Sequence, residues 1–464
     1  MLFSSLTFLC CFLPFVFIVY YLINPSLRNT FLLLASLLFY AWGEPRYLFL
    51  MIVVIILNYI SGILLDKIND TYRKSICVIS VFANLSILFN YKYLDFVIEN
   101  LNIFLSNQLE LHNVALPIGI SFYIFQSLSY TIDVYRKLVP AQYNLLKFSL
   151  YVSLFPQLVA GPIVKYKEVM QYLEFRDENI DDIVYGFRRF IIGLGKKVIF
   201  ANTMGEVVDK IFSTGPSEIS IIVAWLGTFA FALQMFFDFS GYSDMAIGLG
   251  RIFGFKFQEN FNYPFVAKTM TEFWRKWHIS LTSWFTQYLY IPLGGNRVSA
   301  FRQDINLIVV FIATGIWHGA NWTFVAWGLW NVLFLLIEKK TLLAKREFST
   351  YVNICLHVYV IMVVLIQVVF FRSDSISFAI EYLSVMFGLS NNTYIPFGFE
   401  YYFNNKVFIV GILSGLCCYN WEWSRLDKYK FYVVLKDVFL ILTLLYCIAS
   451  TAASGYNPFI YFKF

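Results

Sequence analysis

The sequence predicts an all-α polytopic membrane protein with about 11–13 membrane segments, including short broken or re-entrant helices around a central tunnel. Hydrophobic residues make up 59% of the chain and charged residues only 14%, whereas a soluble domain has about 25% charged residues. The mean hydropathy is +0.65. Residues 1–27, 348–371 and 438–462 carry no charged side chain, and each run exceeds the roughly 18 residues that cross hydrocarbon as a helix. These runs are therefore interpreted as membrane spans.

The distribution of apolar segments favours one membrane domain over residues 1–464. No basic residue precedes the first apolar run, so it is interpreted as an uncleaved span rather than a signal peptide. Apolar stretches follow along the whole chain, without a segment of soluble-domain size between them. We expect a motif-bearing core at about residues 113–338 and further C-terminal spans within residues 348–464.

Apolar runs bounded by charged or turn-forming residues define the individual spans. The expected spans are residues 5–24, 30–42, 48–65, 75–91, 114–132, 146–162, 190–207, 219–237, 305–317, 321–337, 350–371, 407–421 and 438–457. The runs near 148–162 and 305–317 are too short to cross alone. Such runs are typical of broken or re-entrant helices that line a protein-enclosed cavity.

Charges between the spans predict the orientation, because loops rich in Lys and Arg stay in the cytoplasm. The segments after the first, third and fifth spans are basic, at Arg28, residues 67–74 and residues 136–147. Residues 92–113 lie between two of these segments and are net acidic. This alternation predicts an extracytoplasmic N-terminus. The basic clusters at residues 339–346 and 425–430 are expected on the cytoplasmic side.

The formal net charge of +6 is spread over short clusters between apolar runs, so membrane lipid is expected around the chain and no nucleic-acid partner is expected. The seven cysteines include neighbouring pairs inside apolar segments, without the paired spacing of a zinc site. We therefore expect no bound metal and no bound cofactor.

His318 is the strongest candidate for chemistry. It lies in the segment GIWHGANW at residues 315–322, inside a run from 305 to 337 that has no charged side chain. An ionisable group at membrane depth is costly and is a functional candidate by default. A neutral imidazole can take a proton from a hydroxyl and return it to a leaving group, as acyl transfer requires. The alternative is a structural histidine satisfied by a hydrogen bond, but the neighbouring Trp317 and Asn321 favour a catalytic one.

His278 is the second candidate, and it follows a predicted helix start. Thr269 and Glu272 match a capping box. A helix from there would present one inward stripe, consisting of Trp274, His278, Leu281 and Phe285. His278 would point inward and Arg275 elsewhere. A packing histidine in an interfacial belt of tryptophans is an equally good interpretation of this pattern.

A polar cluster, FDFSGYSD at residues 237–244, follows a charge-free run. Its two carboxylates, Asp238 and Asp244, need partners. They could orient a histidine or Arg275, bind a cation, or cap a helix that begins near Ser243. Capping and structural pairing are preferred, because metal-ligand spacing with histidine is absent.

These segments resemble a known family. FWRKWHISL at residues 273–281 and WHG at residues 317–319 look like the two histidine motifs of the membrane-bound O-acyltransferases. Further segments resemble the bacterial branch of this family that O-acetylates alginate and peptidoglycan. They are residues 38–42, 116–123, 130–136, 161–162, 237–250 and 293–297. The resemblance covers about residues 1–338.

The resemblance implies roles for the candidates and the fold of that family around a tunnel. His318 would be the essential base, with His278 as its partner in the same tunnel. The expected lining or supporting residues are Trp274, Arg275, Trp317, Asn321, Asp238, Ser240, Tyr242 and Asp244. The branch also implies acetyl-coenzyme A as the donor substrate, an extracytoplasmic esterase-like O-acetyltransferase as partner, and a place in the bacterial cytoplasmic (inner) membrane.

Two alternatives stay open at this point. A sibling branch passes D-alanine toward teichoic acid and shares both histidine motifs, so the motifs do not exclude it. A polysaccharide flippase or transporter would also have many spans and broken helices. It would leave the two histidine motifs without a purpose.

Overall fold

The computed structural model describes residues 1–105, 107–159, 161–341, 343, 348–390, 392–421 and 428–460, and these residues contain helices and no β-strand. Of the basic clusters predicted to be cytoplasmic, Lys345, Arg346 and Arg425 lie outside the described residues. The chain folds as two compact units. Unit 1 comprises Met1–Phe190 and Ser243–Gln258, and unit 2 comprises Ile191–Tyr242 and Glu259–Phe464. Because the chain returns to unit 1 after entering unit 2, the units are not successive domains, and the single membrane domain stays a prediction.

The first part of the chain, to the end of α10, contains two consecutive helices of membrane length, α3 and α4, among shorter ones. The helices of this part are α1 (Leu13–Leu22), α2 (Arg28–Gly43), α3 (Leu48–Lys67), α4 (Asp70–Lys92), α5 (Leu94–Asn102), α6 (Ile120–Tyr135), α7 (Leu145–Ser153), α8 (Phe155–Leu158), α9 (Tyr166–Glu174) and α10 (Ile180–Gly195). A π-helical segment, Thr7–Phe12, leads directly into α1.

Buried amides join α3, α4 and α6 inside unit 1. Asn58 of α3 and Asn84 of α4 are fully buried and exchange two hydrogen bonds, of 2.9 and 3.1 Å. Thr131 of α6 donates a third, of 2.8 Å, to the Asn58 Oδ1 atom. Since a polar group in an apolar interior is costly unless it is paired, these bonds favour one register of the three helices.

The second part of the chain contains the longest helix and both histidine motifs. Its helices are α11 (Asn202–Thr214), α12 (Ile221–Ile252), α13 (Met270–Lys276), α14 (Ile279–Phe285), α15 (Ala300–His318), α16 (Trp322–Thr341), α17 (Thr350–Arg372), α18 (Ile376–Met386), α19 (Phe399–Tyr402), α20 (Asn405–Cys417) and α21 (Lys430–Ala453). Two π-helical segments, Lys196–Ala201 and Thr286–Tyr290, precede α11 and follow α14.

Six helices of the described residues are long and apolar enough to cross a membrane. They are Pro45–Lys67, Asp70–Lys92, Ile221–Ile252, Ala300–His318, Thr350–Arg372 and Lys430–Ala453. Shorter apolar helices occur at Thr7–Leu22, Ile376–Met386 and Asn405–Cys417. The prediction of an all-α polytopic membrane protein is therefore confirmed.

The two predicted broken helices have different outcomes. The run near 148–162 is broken as expected, because α7 ends at Ser153 and the one-turn helix α8 follows. The run 305–317 was predicted to be too short to span, and this prediction is wrong. α15 is 19 residues long, since the side chain of Ser299 caps it at the Arg302 amide and the polar residues after Ser299 extend it. Helix α18 was missed altogether.

Candidate active site

The first histidine motif is a broken helix in unit 2, with His278 at the break. Thr269 caps α13 as predicted and accepts a 3.0 Å hydrogen bond from the Glu272 amide. The predicted continuous helix through His278 is wrong, because α13 ends at Lys276 and His278 adopts left-handed backbone angles of φ 44° and ψ 56°. The four residues expected on one stripe are therefore divided between two helices.

The loop that precedes α13 holds this break in place. The Asn262 amide donates to the Lys276 carbonyl oxygen at 2.9 Å, and the Ile279 amide donates to the Asn260 carbonyl oxygen at 2.9 Å. The last carbonyl of α13 and the first amide of α14 thus find partners outside their own helices. Helix ends leave such groups unsatisfied otherwise, and helix periodicity contains no information about partners that lie elsewhere in the chain.

The imidazole of His278 is buried, with only 1% of the residue exposed. Its Nδ1 atom lies 3.1 Å from the Asn260 Oδ1 atom. Its ring packs edge-on against Phe239 at a centroid distance of 4.5 Å and against Trp317 at 6.2 Å. His278 therefore lies inside unit 2 rather than at its surface, which argues against the alternative of an interfacial belt.

His318 is the last residue of α15 and is also buried, at 6% exposure. Aromatic rings surround its imidazole at centroid distances of 5.0 Å (Trp317), 5.3 Å (Trp327) and 5.1 Å (Phe371). The indole of Trp317 thus contacts both imidazoles. The structure brings the two histidine motifs together around one tryptophan, as the prediction of a shared site requires.

Two glycines near His318 allow a close approach of α15 and α16. A Cβ atom at Gly315 would clash with the Phe324 carbonyl oxygen, and one at Gly319 would clash with the Phe324 ring. The absence of a side chain at Gly315 and Gly319 is therefore required by the packing around Phe324. The neighbour of Gly319 is a packed side chain, however, so a larger residue there would disturb helix packing before it narrowed any passage.

Trp274 links α13 to the surroundings of His318. Its indole donates to Asn331 Oδ1 at 3.2 Å and packs edge-on against Trp327 at 5.6 Å. Trp327 in turn contacts His318. Asn331 is fully buried on α16 and was not predicted, because an isolated amide in an apolar run gives no sign of its partner.

A cavity of about 790 Å³ lies beside Trp274 in unit 2. Its apolar wall includes Phe285, Leu307, Val310 and Phe311, and its polar lining includes Arg275, Tyr290, Asn296, Gln303, Glu338 and Lys339. Trp274 and Arg275 both line this cavity, and their role at a substrate tunnel stays a prediction. Neither histidine is among its lining residues, so a continuous passage that both imidazoles line stays a prediction.

Glu338 at the end of α16 was missed by the sequence reasoning, although it holds the start of α13. Its buried carboxylate accepts hydrogen bonds from the amides of Met270 and Thr271 and from the hydroxyls of Thr271 and Tyr359. A carboxylate at a helix N-terminus accepts hydrogen bonds from the free amides and interacts favourably with the positive end of the helix dipole. Glu338 therefore fixes the helix that carries Trp274 and Arg275.

The carboxylates of the FDFSGYSD cluster form ion pairs in different units. In unit 2, Asp238 pairs with Lys197 at 2.8 Å and accepts the Ile460 amide at 2.8 Å. In unit 1, Asp244 pairs with Arg189 at 2.6 Å. The preferred structural pairing is confirmed. The alternative of a helix start near Ser243 is wrong, because α12 runs through the whole cluster.

Two further residues of this cluster, Ser240 and Tyr242, are buried. Tyr242 packs on Phe459 at 4.9 Å, and Ser240 is buried within α12. Phe239, which was not a predicted site residue, provides the contact of this helix with His278. A tunnel-lining role for Ser240 and Tyr242 stays a prediction.

Asn321 acts at the start of α16. Its side chain accepts from the Thr323 amide at 2.9 Å and donates to the Asp374 carbonyl oxygen at 2.9 Å. These bonds hold the turn between His318 and α16. Within the described residues, no group of three or more His, Cys, Asp or Glu side chains is arranged to hold a metal ion.

The fold and site together define a polytopic membrane protein with two buried imidazoles in an aromatic, water-poor environment suited to proton transfer. A sequence profile of the membrane-bound O-acyltransferase family matches residues 4–372. The chain belongs to the membrane-bound O-acyltransferase family and is an acyltransferase.

Several relatives have names that state what those relatives act on. The chain is 39% identical to a probable alginate O-acetylase, AlgI, of Azotobacter vinelandii over 399 residues, which cover 85% of this chain and 79% of the relative. It is 35% identical to a peptidoglycan O-acetyltransferase of Helicobacter pylori over 426 residues, covering 84% and 80%. It is 27% identical to a teichoic acid D-alanyltransferase of Bacillus subtilis over 239 residues, covering 48% and 59%.

Proposed function

We propose that this acyltransferase O-acetylates an extracytoplasmic cell-envelope polysaccharide of the alginate or peptidoglycan kind. The donor would be cytoplasmic acetyl-coenzyme A, and the acetyl group would cross the bacterial cytoplasmic membrane to an esterase-like partner transferase. The contact of Trp317 with both buried imidazoles is the observation that carries the proposal. The names of the relatives with the greater identity and coverage support acetyl rather than D-alanyl transfer.

The proposed chemistry needs one base at membrane depth. His318 takes the proton of an acceptor hydroxyl as that oxygen attacks the thioester carbonyl carbon. The new C–O bond forms, the C–S bond breaks, and the proton held by the imidazole passes to the departing thiolate. The aromatic rings of Trp317, Trp327 and Phe371 around His318 exclude water, which protects the thioester from hydrolysis.

The cavity beside Trp274 fits the donor side of this reaction. Arg275 and Lys339 are among its lining residues, and cationic side chains suit the phosphates of a coenzyme A thioester. Lys339, which pairs with Asp304 at 2.7 Å, belongs to a cluster that the charge pattern predicts to be cytoplasmic. The apolar wall suits the uncharged part of the donor, and the cavity volume of about 790 Å³ lies within the usual range for small-molecule sites of about 300–1,000 Å³.

The proposed activity is tested with inverted membrane vesicles, whose outer surface is the cytoplasmic face. The vesicles enclose the acceptor glycan and the partner transferase. Acetyl-coenzyme A labelled on the acetyl group is supplied outside. We expect label on the luminal glycan, and His318→Ala should lower its rate about 10²- to 10⁴-fold while the protein still accumulates. His112→Ala is the matched control, because His112 is exposed and lies outside the site. Normal labelling by the His318 variant would contradict the assignment.

The same vesicles, together with a deletion strain, distinguish the proposed function from the two alternatives. Transfer of labelled D-alanine from a carrier protein, with no acetyl transfer, would support the sibling activity. A flippase would move the whole glycan, so loss of glycan export in a deletion strain with intact ester content would support a transporter. Mass spectrometry of wall and capsule esters in the same strain identifies the acceptor.

A further inference from the structure

Asn260 is the residue that joins the helix break to the His278 imidazole. It is buried, with 1% of the residue exposed. Its carbonyl oxygen accepts from the Ile279 amide at 2.9 Å. Its side-chain Oδ1 atom accepts from the Ser280 amide at 3.2 Å and from the Ser280 hydroxyl at 2.9 Å. The main chain and the side chain of Asn260 therefore both bind the start of α14.

The bond from Ser280 settles which way the Asn260 carboxamide faces. A backbone amide can only donate, so the side-chain atom that it meets must be the oxygen rather than the NH₂ group. The same oxygen lies 3.1 Å from the His278 Nδ1 atom. A carbonyl oxygen can only accept, so this contact is a hydrogen bond when Nδ1 carries the proton. The other polar neighbour of Nδ1, the Ser280 hydroxyl, lies farther away at 3.5 Å and donates to the same Asn260 oxygen at 2.9 Å, which favours the Nδ1-protonated form.

The second nitrogen of His278 is then left with its lone pair. In the neutral imidazole one nitrogen donates and the other accepts, and here the acceptor is Nε2. The Nε2 atom is buried and has no hydrogen-bond partner among the described residues. A buried acceptor without a partner is costly, and such an atom inside an enzyme site is available to a substrate group.

We propose that Asn260 is a positioning residue that holds His278 in its Nδ1-protonated form, so that Nε2 accepts a hydrogen bond from a substrate group during acyl transfer. This inference rests on the proposed acyl-transfer function. While Nε2 accepts this hydrogen bond, Nδ1–H stays bonded to Asn260. The proton that leaves the acceptor hydroxyl is taken, and returned to the departing thiolate, by His318 alone.

Kinetics of two Asn260 variants separate positioning from packing. Asn260→Leu removes the acceptor at similar volume, and we expect kcat to fall about 10- to 100-fold with the KM for the donor changed less than about twofold. Asn260→Asp keeps the acceptor and adds a negative charge, which favours the protonated imidazole. Because Nε2 accepts a hydrogen bond only while it is unprotonated, the acidic limb of the pH–rate profile should move to higher pH. A full kcat for the Leu variant and an unshifted profile for the Asp variant would overturn the proposal.

Asn262→Leu is the matched control, since Asn262 lies two residues away and its side chain is exposed. It should keep the wild-type kcat and pH profile. Equal losses in the two Leu variants would mean that the segment acts through its fold alone, which overturns the positioning role.

Nitrogen NMR of the wild-type protein tests the proton position directly and needs no active variant. With ¹⁵N-histidine labelling, and His278→Gln to assign the signal, the Nδ1 atom of His278 should be protonated and the Nε2 atom unprotonated. The opposite form would overturn this inference even if acetyl transfer proceeds. Absence of acetyl transfer by the wild-type vesicles would overturn the proposed function and leave the NMR result unchanged, so the two failures are distinguishable.

Discussion

The indole of Trp317 packs edge-on against the imidazole of His278 at a centroid distance of 6.2 Å. The same indole contacts His318, which follows it in the chain. A single side chain thus packs against both candidate catalytic rings. Substitutions of Trp317 should therefore disturb both imidazoles and lower the rate of acyl transfer.

We expect Trp317→Phe to retain a ring at this position and to lower the acetyl-transfer rate less than about tenfold, whereas Trp317→Ala should lower it at least about 100-fold. Loss of a buried Trp side chain also costs about 3–5 kcal/mol of stability. The rate must therefore be measured per amount of folded protein, with fluorescence-detected gel filtration as the check on folding. Equal rates for both variants would show that Trp317 does not position the imidazoles.

The carboxylate of Glu338 should stabilise the start of α13. Glu338→Ala leaves the amides of Met270 and Thr271 without their present acceptor, and an unsatisfied buried donor costs about 1–3 kcal/mol. Thermal unfolding in detergent should show the loss, and the transfer rate should fall because Trp274 and Arg275 lie on this helix. Lys340→Ala, at the exposed neighbouring position, should unfold like the wild type. A Glu338 variant with the wild-type unfolding temperature would contradict this role.

Filling the cavity beside Trp274 should weaken donor binding. Val310 lines the cavity, so Val310→Phe should raise the KM for acetyl-coenzyme A several-fold with a smaller change in kcat. Val309→Phe is the control, because Val309 on the same helix is 39% exposed and does not line the cavity. Equal KM values for the two variants would argue against this cavity as the donor site. Gly319→Leu would be a weaker test of a substrate passage, because it would first displace the Phe324 ring.

The amide pair of Asn58 and Asn84 should contribute to the stability of unit 1. Asn58→Leu leaves Asn84 and Thr131 without the acceptor that both now use, at a cost of about 1–3 kcal/mol. The double variant with Leu at both positions should recover part of this loss, because it removes two of the unsatisfied groups together. Thermal unfolding of the single and double variants measures the difference. If the double variant lost more unfolding free energy than the two single variants lose together, the pairing argument would be contradicted.

The apolar runs of the sequence determined the fold class and the positions of most helices. Apolar composition is a local property, and a run of sufficient length must be helical in lipid because its backbone groups can pair within it. His318 was also found from the sequence, since an imidazole in a charge-free run is conspicuous. His278 was found from the capping box and the helical spacing around it. The length of α15 was underestimated because its first turn is polar and its cap, Ser299, lies before the apolar run.

Only the tertiary structure decided how the site is assembled. The break at His278 depends on acceptors and donors in residues 260–262, and the start of α13 depends on Glu338, 68 residues after Met270. Asp238 and Asp244 lie in one short motif and yet form their ion pairs in different units. The physical reason is the same in each case. Whether a segment forms a helix and enters the membrane depends on residues that are close together in the sequence. The partner of a buried polar group depends instead on how segments that are distant in the chain pack against one another.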